Sequence, residues 1–166
     1  APTLVPAAST SALMLGHLDA GIDLQLEAVE RARVARQGQV LAWSLLNLAN
    51  GQAQRGDVDA AVDSADEALR LARDLDESVM IAWTGQSLAY CLAERGEASE
   101  ALTVLTESAG SLAQHYPGAW RVWALELMVR CQLQADPAAA RPTAEEAMAL
   151  GDHIGLPMGR AWARRA

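Results

Sequence analysis

At 166 residues the chain fits one ordinary domain, and its 51% hydrophobic content is ample for a core. Aromatics make up 4% and Phe is absent, so that core is built from Ala, Leu, Val and Met, residues that suit close-packed helices. A formal charge of −8 argues against a grip on nucleic acid or an anionic membrane, since both carry negative charge.

No apolar run approaches the roughly 18 residues a membrane span needs. No basic start followed by an apolar block marks a signal peptide. All 13 basic residues are Arg, a bias that, with abundant Ala, fits a GC-rich bacterial genome. It also excludes a P-loop lysine and a lysine Schiff base.

Taken in chain order, the elements repeat. The opening "APTLVPAASTSALML" does not begin with Met and runs straight into repeat-like sequence, so a segment of a longer protein is expected. "GHLDAGIDLQLEAVERAR" from Gly16 aligns without a gap with "GDVDAAVDSADEALRLAR" from Gly56. "AWSLLNLANGQAQRGDVDAA" from Ala42 aligns with "AWTGQSLAYCLAERGEASEA" from Ala82, an offset of 40. Trp43, Trp83 and Trp123 keep that interval, and Trp162 follows at 39. In the last copy "ADPAAARPTAEEAMAL" matches after one deletion.

Each copy reads as two helices of about 17 residues, for example Glu77 to Glu94 and Val58 to Asp74. The repeats span approximately 1–37, 38–76, 77–116 and 117–156, with the start of a further first helix at 157–166, all within one domain, 1–166. Between paired helices sits a tight turn, Arg55-Gly56-Asp57 or Arg95-Gly96-Glu97. Glycine there can take the left-handed conformation that ends a helix. The following acid lies near the positive end of the next helix. Pro137 starts the corresponding helix of the last copy with its fixed φ. The Arg-Gly-Asp tripeptide is therefore a turn and not an adhesion signal, because the second copy replaces its Asp with Glu.

Two-helix units stacked at a fixed period form an α-solenoid, in which neighbours cover the apolar face that one unit cannot bury alone. The expected fold is all-α, a right-handed α-solenoid of about four hairpins. Leu13, Met14 and Trp162 would lie on the open ends, a surface suited to a homodimer.

Ala49, Gly56, Ala61, Ala68 and Leu69, and again Ala89, Gly96 and Ala101, stand at the spacing of a tetratricopeptide repeat (TPR). Ser108 replaces the next alanine, the closing proline is missing, and the period is 40 where the usual one is about 34. Longer repeats of this kind resemble the sensor arm of MalT-type, LuxR-type bacterial transcription regulators. The resemblance implies an arm that senses a small inducer or docks a protein or peptide segment, including other domains of the same chain. A plain TPR scaffold in a signalling or assembly protein is the alternative. The nucleotide-binding and DNA-binding modules of such regulators have no counterpart here, so no direct nucleic-acid contact and no cofactor are implied.

The tryptophan position carries the site expectation. At about 100° per residue, Trp43 lies about 200° from Leu45 and about 140° from Leu48, pointing away from the hairpin face. Trp43, Trp83 and Trp123 would then form a ladder along a concave groove, with rungs about 10 Å apart. Residues four and seven further on share that face: Asn47 and Asn50, Ser87 and Tyr90, Leu127 and Arg130. Such a surface suits a peptide or a small stacked ligand. The alternative is that the tryptophans fill space between units.

Other signals stay structural. Cys91 and Cys131 occupy equivalent positions, too far apart to bond, and read as free buried thiols in a reducing cytoplasm. No His stands near them at metal-ligand spacing. His17, His115 and His153 are scattered. Asp63, Asp66, Glu67, Glu145 and Glu146 read as helix-surface charges, with Asp66 to Arg70 an i,i+4 pair. No nucleophile or acid–base constellation suggests an enzyme.

Overall fold

A computed structural model describes residues 16–109 and 118–155, with positions 157, 160, 161 and 164 beyond them. Leu13, Met14, His115 and Trp162 lie outside the described residues. The described chain is all-helical: α1 (Leu18–Val34), α2 (Gly38–Arg55), α3 (Val58–Asp74), α4 (Ser78–Arg95), α5 (Ala98–Ala109), α6 (Ala119–Ala135) and α7 (Pro137–Ile154). The expected helix Val58–Asp74 coincides with α3, and Glu77–Glu94 is displaced by one residue from α4. Among the described residues no helix is long and apolar enough to cross a membrane.

Turn chemistry explains where the helices stop. Gly56 and Gly96 end α2 and α4 with φ +97° and +90°. Their N–H groups donate to the carbonyls of Ala53 and Ala93, and the next N–H, of Asp57 or Glu97, reaches back to Gln52 or Leu92 at 2.9 Å. This paired closure satisfies carbonyls the helix leaves open. The same closure ends α1 and α3, but with Arg36 and Asp76 at φ +54° and +55°. Left-handed backbone costs an L-residue roughly 1–2 kcal/mol, so these two turns store strain that the glycine turns lack.

Asp57 stands at the N-cap of α3, near the positive helix end as expected, without a side-chain cap hydrogen bond. Asp57 pairs instead with Arg55, and Glu97 with Arg95 at 2.6 Å. Arg55 also reaches Asp19 of α1 at 3.2 Å, and Arg95 reaches Asp59 of α3 at 3.7 Å. Each turn arginine thus bridges to the first turn of the preceding hairpin's second helix. The two charged residues of Arg-Gly-Asp are engaged with each other.

Packing runs from one hairpin to the next. Each helix packs on its chain neighbours, and in addition α2 packs on α4 and α4 on α6. Among the described residues the odd-numbered helices do not pack on one another. Where they meet, long side chains bridge, as Arg33 of α1 does to both carboxylate oxygens of Glu67 in α3 at 2.9 and 2.7 Å. Glu67, expected to be an ordinary helix-surface charge, therefore ties two hairpins together.

The core has the small-residue character that composition implied. Ala49, Ala61, Ala68, Ala89 and Ala101 are fully buried, letting backbones approach closely. One apolar cluster joins Ala53 of α2, Leu69 of α3, Leu92 of α4, Leu105 of α5 and Leu127 of α6. A second joins Ile22 and Val29 of α1 to Leu41 and Leu45 of α2 and Ala68 of α3. Both clusters cross hairpin boundaries, so the apolar cover of one unit comes from its neighbours.

Candidate functional site

The even-numbered helices carry a run of aromatic rings. Trp43 of α2 lies 6.3 Å from Trp83 of α4, centroid to centroid, with planes tilted by 48°. Trp83 meets Trp120 of α6 edge-on at 5.1 Å. Trp120 meets Trp123 at 5.9 Å, and Trp123 meets Tyr90 of α4 at 6.0 Å. The Arg130 guanidinium sits over the Tyr90 ring at 5.9 Å. Tilted and edge-on pairs are the arrangements the ring quadrupole favours.

Two expectations need correction. The rungs Trp43 and Trp83 stand 6.3 Å apart and not about 10 Å, because their indoles lean toward one another across the helix spacing. Trp83 also finds Trp120, and not only residues at the 40-residue position, as its neighbour. Trp120 stands one helical turn ahead of Trp123, so 3.6-residue periodicity on α6 was the signal that could have found it.

Exposure separates the expected site residues into two groups. Trp43 is 38% exposed, while Trp83, Tyr90, Trp123 and Arg130 are half-buried, as are Asn47 and Asn50. Ser87 is 1% exposed, and Leu127 is fully buried. Both were expected on the groove face. They fall in the seams of the helix row, because α4 and α6 are packed on more sides than a single hairpin face predicts. Ser87 donates to Asn50 Oδ1 at 2.8 Å and so ties α4 to α2. It is a helix–helix bridge, not a ligand contact.

Polar groups along the row are largely engaged. Asn47 Nδ2 donates to the Trp43 carbonyl at 2.8 Å. Arg130 pairs with Glu94 at 2.9 Å and with Glu126 at 3.4 Å. Gln86, between Trp83 and Tyr90 on α4, is fully buried, and neither its amide oxygen nor its nitrogen has a hydrogen-bond partner among the described residues. A buried unmet amide costs roughly 1–3 kcal/mol. The equivalent residue of α2 is Leu46 and of α6 is Glu126.

The row is also poor in charge. Of 21 acidic residues, α2, α4 and α6 hold two, Glu94 and Glu126, and both lie against Arg130. The negative charge of the chain therefore resides on the odd-numbered helices, the turns and the remaining segments.

Cys91 and Cys131 are free and buried. Burial pushes the Cys91 thiol up to about 12 and raises that of Cys131, so both are protonated and unreactive near neutral pH. Among the described residues no group of His, Cys, Asp and Glu could hold a metal ion. His17 precedes α1 and is exposed, and His153 lies in the last turn of α7. Asp66 pairs with Arg70 at 2.9 Å, and Glu146 with Arg121 of α6. A depression of about 400 Å³ lies among Gly96–Glu100, Gln134 and Ala135. None of the aromatic residues lines it, so the candidate site is the open row and not this hollow.

No protein-family model matches the chain, and no curated protein sequence matches it.

Proposed function

We propose that the chain is a TPR-like α-solenoid of about four hairpins and works as the partner-binding arm of a cytoplasmic bacterial transcription regulator of the LuxR type. The packing pattern supports a curved stack. A row of helices in mutual contact, flanked by helices that do not touch, is shorter along the contacting side. The even row would then line the concave face, and the aromatic run would lie along it.

The observation that carries a binding role is that run, continuous from Trp43 to Tyr90 and Arg130 across three helices. Trp, Tyr and Arg are the residues that dominate binding energy at protein interfaces. An open row with one ring 38% exposed fits an extended polypeptide better than an enclosed metabolite. The partner is a segment of another protein or of another domain of the same regulator. A plain scaffold would use the same face, and sequence flanking the gene segment separates the two parents.

The test is a titration of the chain with overlapping peptides from its parent protein, read by intrinsic tryptophan emission. A saturable shift that Trp43→Ala weakens supports the reading. Shifts produced by small metabolites alone would replace it with an inducer sensor.

A further inference from the structure

We infer that the segment accepted by the aromatic row is proline-rich and binds as a polyproline II helix. This rests on the partner-binding reading above and names the class of partner.

Three features favour it. The first is spacing: neighbouring rings stand 5.1 to 6.3 Å apart, none parallel to the next. Along Trp43, Trp83 and Trp120, the stretch that steps in one direction from α2 to α6, a polyproline II chain advancing about 3.1 Å per residue meets a new ring about every second residue. One turn of an α-helix, about 5.4 Å, matches nearly as well, so spacing alone does not decide.

Hydrogen bonding does decide. At the Trp43 end the available donors exceed the acceptors. Asn50 has its amide oxygen taken by Ser87, which leaves its N–H₂ group. Asn47 spends one N–H on the Trp43 carbonyl and keeps another beside its oxygen. The Trp43 indole N–H is a further donor. A donor-rich edge wants carbonyls. A polyproline II chain exposes its carbonyls, and its prolines have no N–H to satisfy. A helical ligand hides its carbonyls, and a β-strand brings as many donors as acceptors.

The third feature is charge. Arg130 lies against both of the row's carboxylates and offsets one of their two charges. The acidic remainder of the chain, −8 in total, repels an acidic peptide. The charge therefore excludes an acidic segment, and among the rest proline rings stacking on indoles meet an apolar, donor-rich face.

Decaproline is the probe. It is titrated into the chain beside a Gly-Ser peptide of equal length and a capped neutral amphipathic helical peptide, read by tryptophan emission and by the indole N–H resonances. Saturable binding of decaproline and not of Gly-Ser is expected. Trp43→Ala should weaken it at least about tenfold, and Asn50→Asp, which keeps the oxygen facing Ser87 but removes the donor, should weaken it several-fold. Melting curves check that each variant folds, and Asn50→Asp carries the test if Trp43→Ala does not. Decaproline that leaves the indoles unmoved, or binds no better than Gly-Ser, overturns the inference. If the helical peptide then binds with Trp43 dependence, the partner-binding reading survives. If neither moves the indoles, both readings fall.

Discussion

Helices α3 and α4 are neighbours of 17 and 18 residues, yet they are built on different rules. In α3 six residues are buried, Ala61, Val62, Ala65, Ala68, Leu69 and Ala72. They recur at three and four, the stripe of a helix with one wet face. In α4 ten residues are buried and lie all round the cylinder, Thr84, Gln86 and Ser87 among them. The cause is position: α4 is packed by α2, α3, α5 and α6, and α3 by α2 and α4. An outer helix declares its orientation in its sequence, whereas an inner one spends polar residues in seams where they must find partners or go without.

The largest test of that contrast compares a buried leucine of the inner row with one on the wet face of an outer helix. Leu92→Ala in α4, where the side chain is 2% exposed, should cost about 3 kcal/mol in chemical denaturation, within the usual range for a core leucine. Leu26→Ala in α1, 46% exposed, should cost less than about 1 kcal/mol. Equal losses would show that α1 has no wet face at Leu26.

Gly85 sharpens it further. A Cβ there would stand 2.1 Å from Ser108 Cβ on α5. Alanine gains about 1 kcal/mol of helix propensity, but overpacking against a side-chain stem costs about 1–3 kcal/mol or more. Gly85→Ala should therefore lower stability by about 1 kcal/mol net. Adding Ser108→Gly removes the clashing atom and should recover most of the loss. A stable single variant would mean the two helices can part freely.

Next is Gln86→Leu, which installs the residue that α2 carries at the same repeat position. Relieving an unmet buried amide should raise stability by about 1 kcal/mol. A loss instead would show that the amide is satisfied by water.

The smallest effects belong to the turns, where α2 and α4 end on glycine and α1 and α3 do not. Asp76→Gly should gain about 0.5–1 kcal/mol by releasing left-handed strain, offset in part by chain entropy. Gly56→Val, at φ +97°, should lose about 1 kcal/mol or more. Thermal midpoints of the two variants moving in the same direction would contradict this account.

Much of this was legible in the residues. The helix boundaries, the left-handed Gly56 and Gly96, the buried alanines and the free buried thiols follow from local rules that repeat every 40 positions. The aromatic site was legible only in part. Trp43, Trp83, Tyr90, Trp123 and Arg130 do share one run, but Trp120 joins it and Ser87 and Leu127 leave it for the seams.

Periodicity and turn chemistry act within a few residues, so the amino-acid sequence by itself determined the all-helical build and the glycine ends of α2 and α4. Which side of an inner helix faces a neighbour, and which is left to bind, depends on partners some 40 positions away. A rotation of about 100° per residue cannot choose among faces that are all apolar, and only the packing of α2, α4 and α6 made that choice.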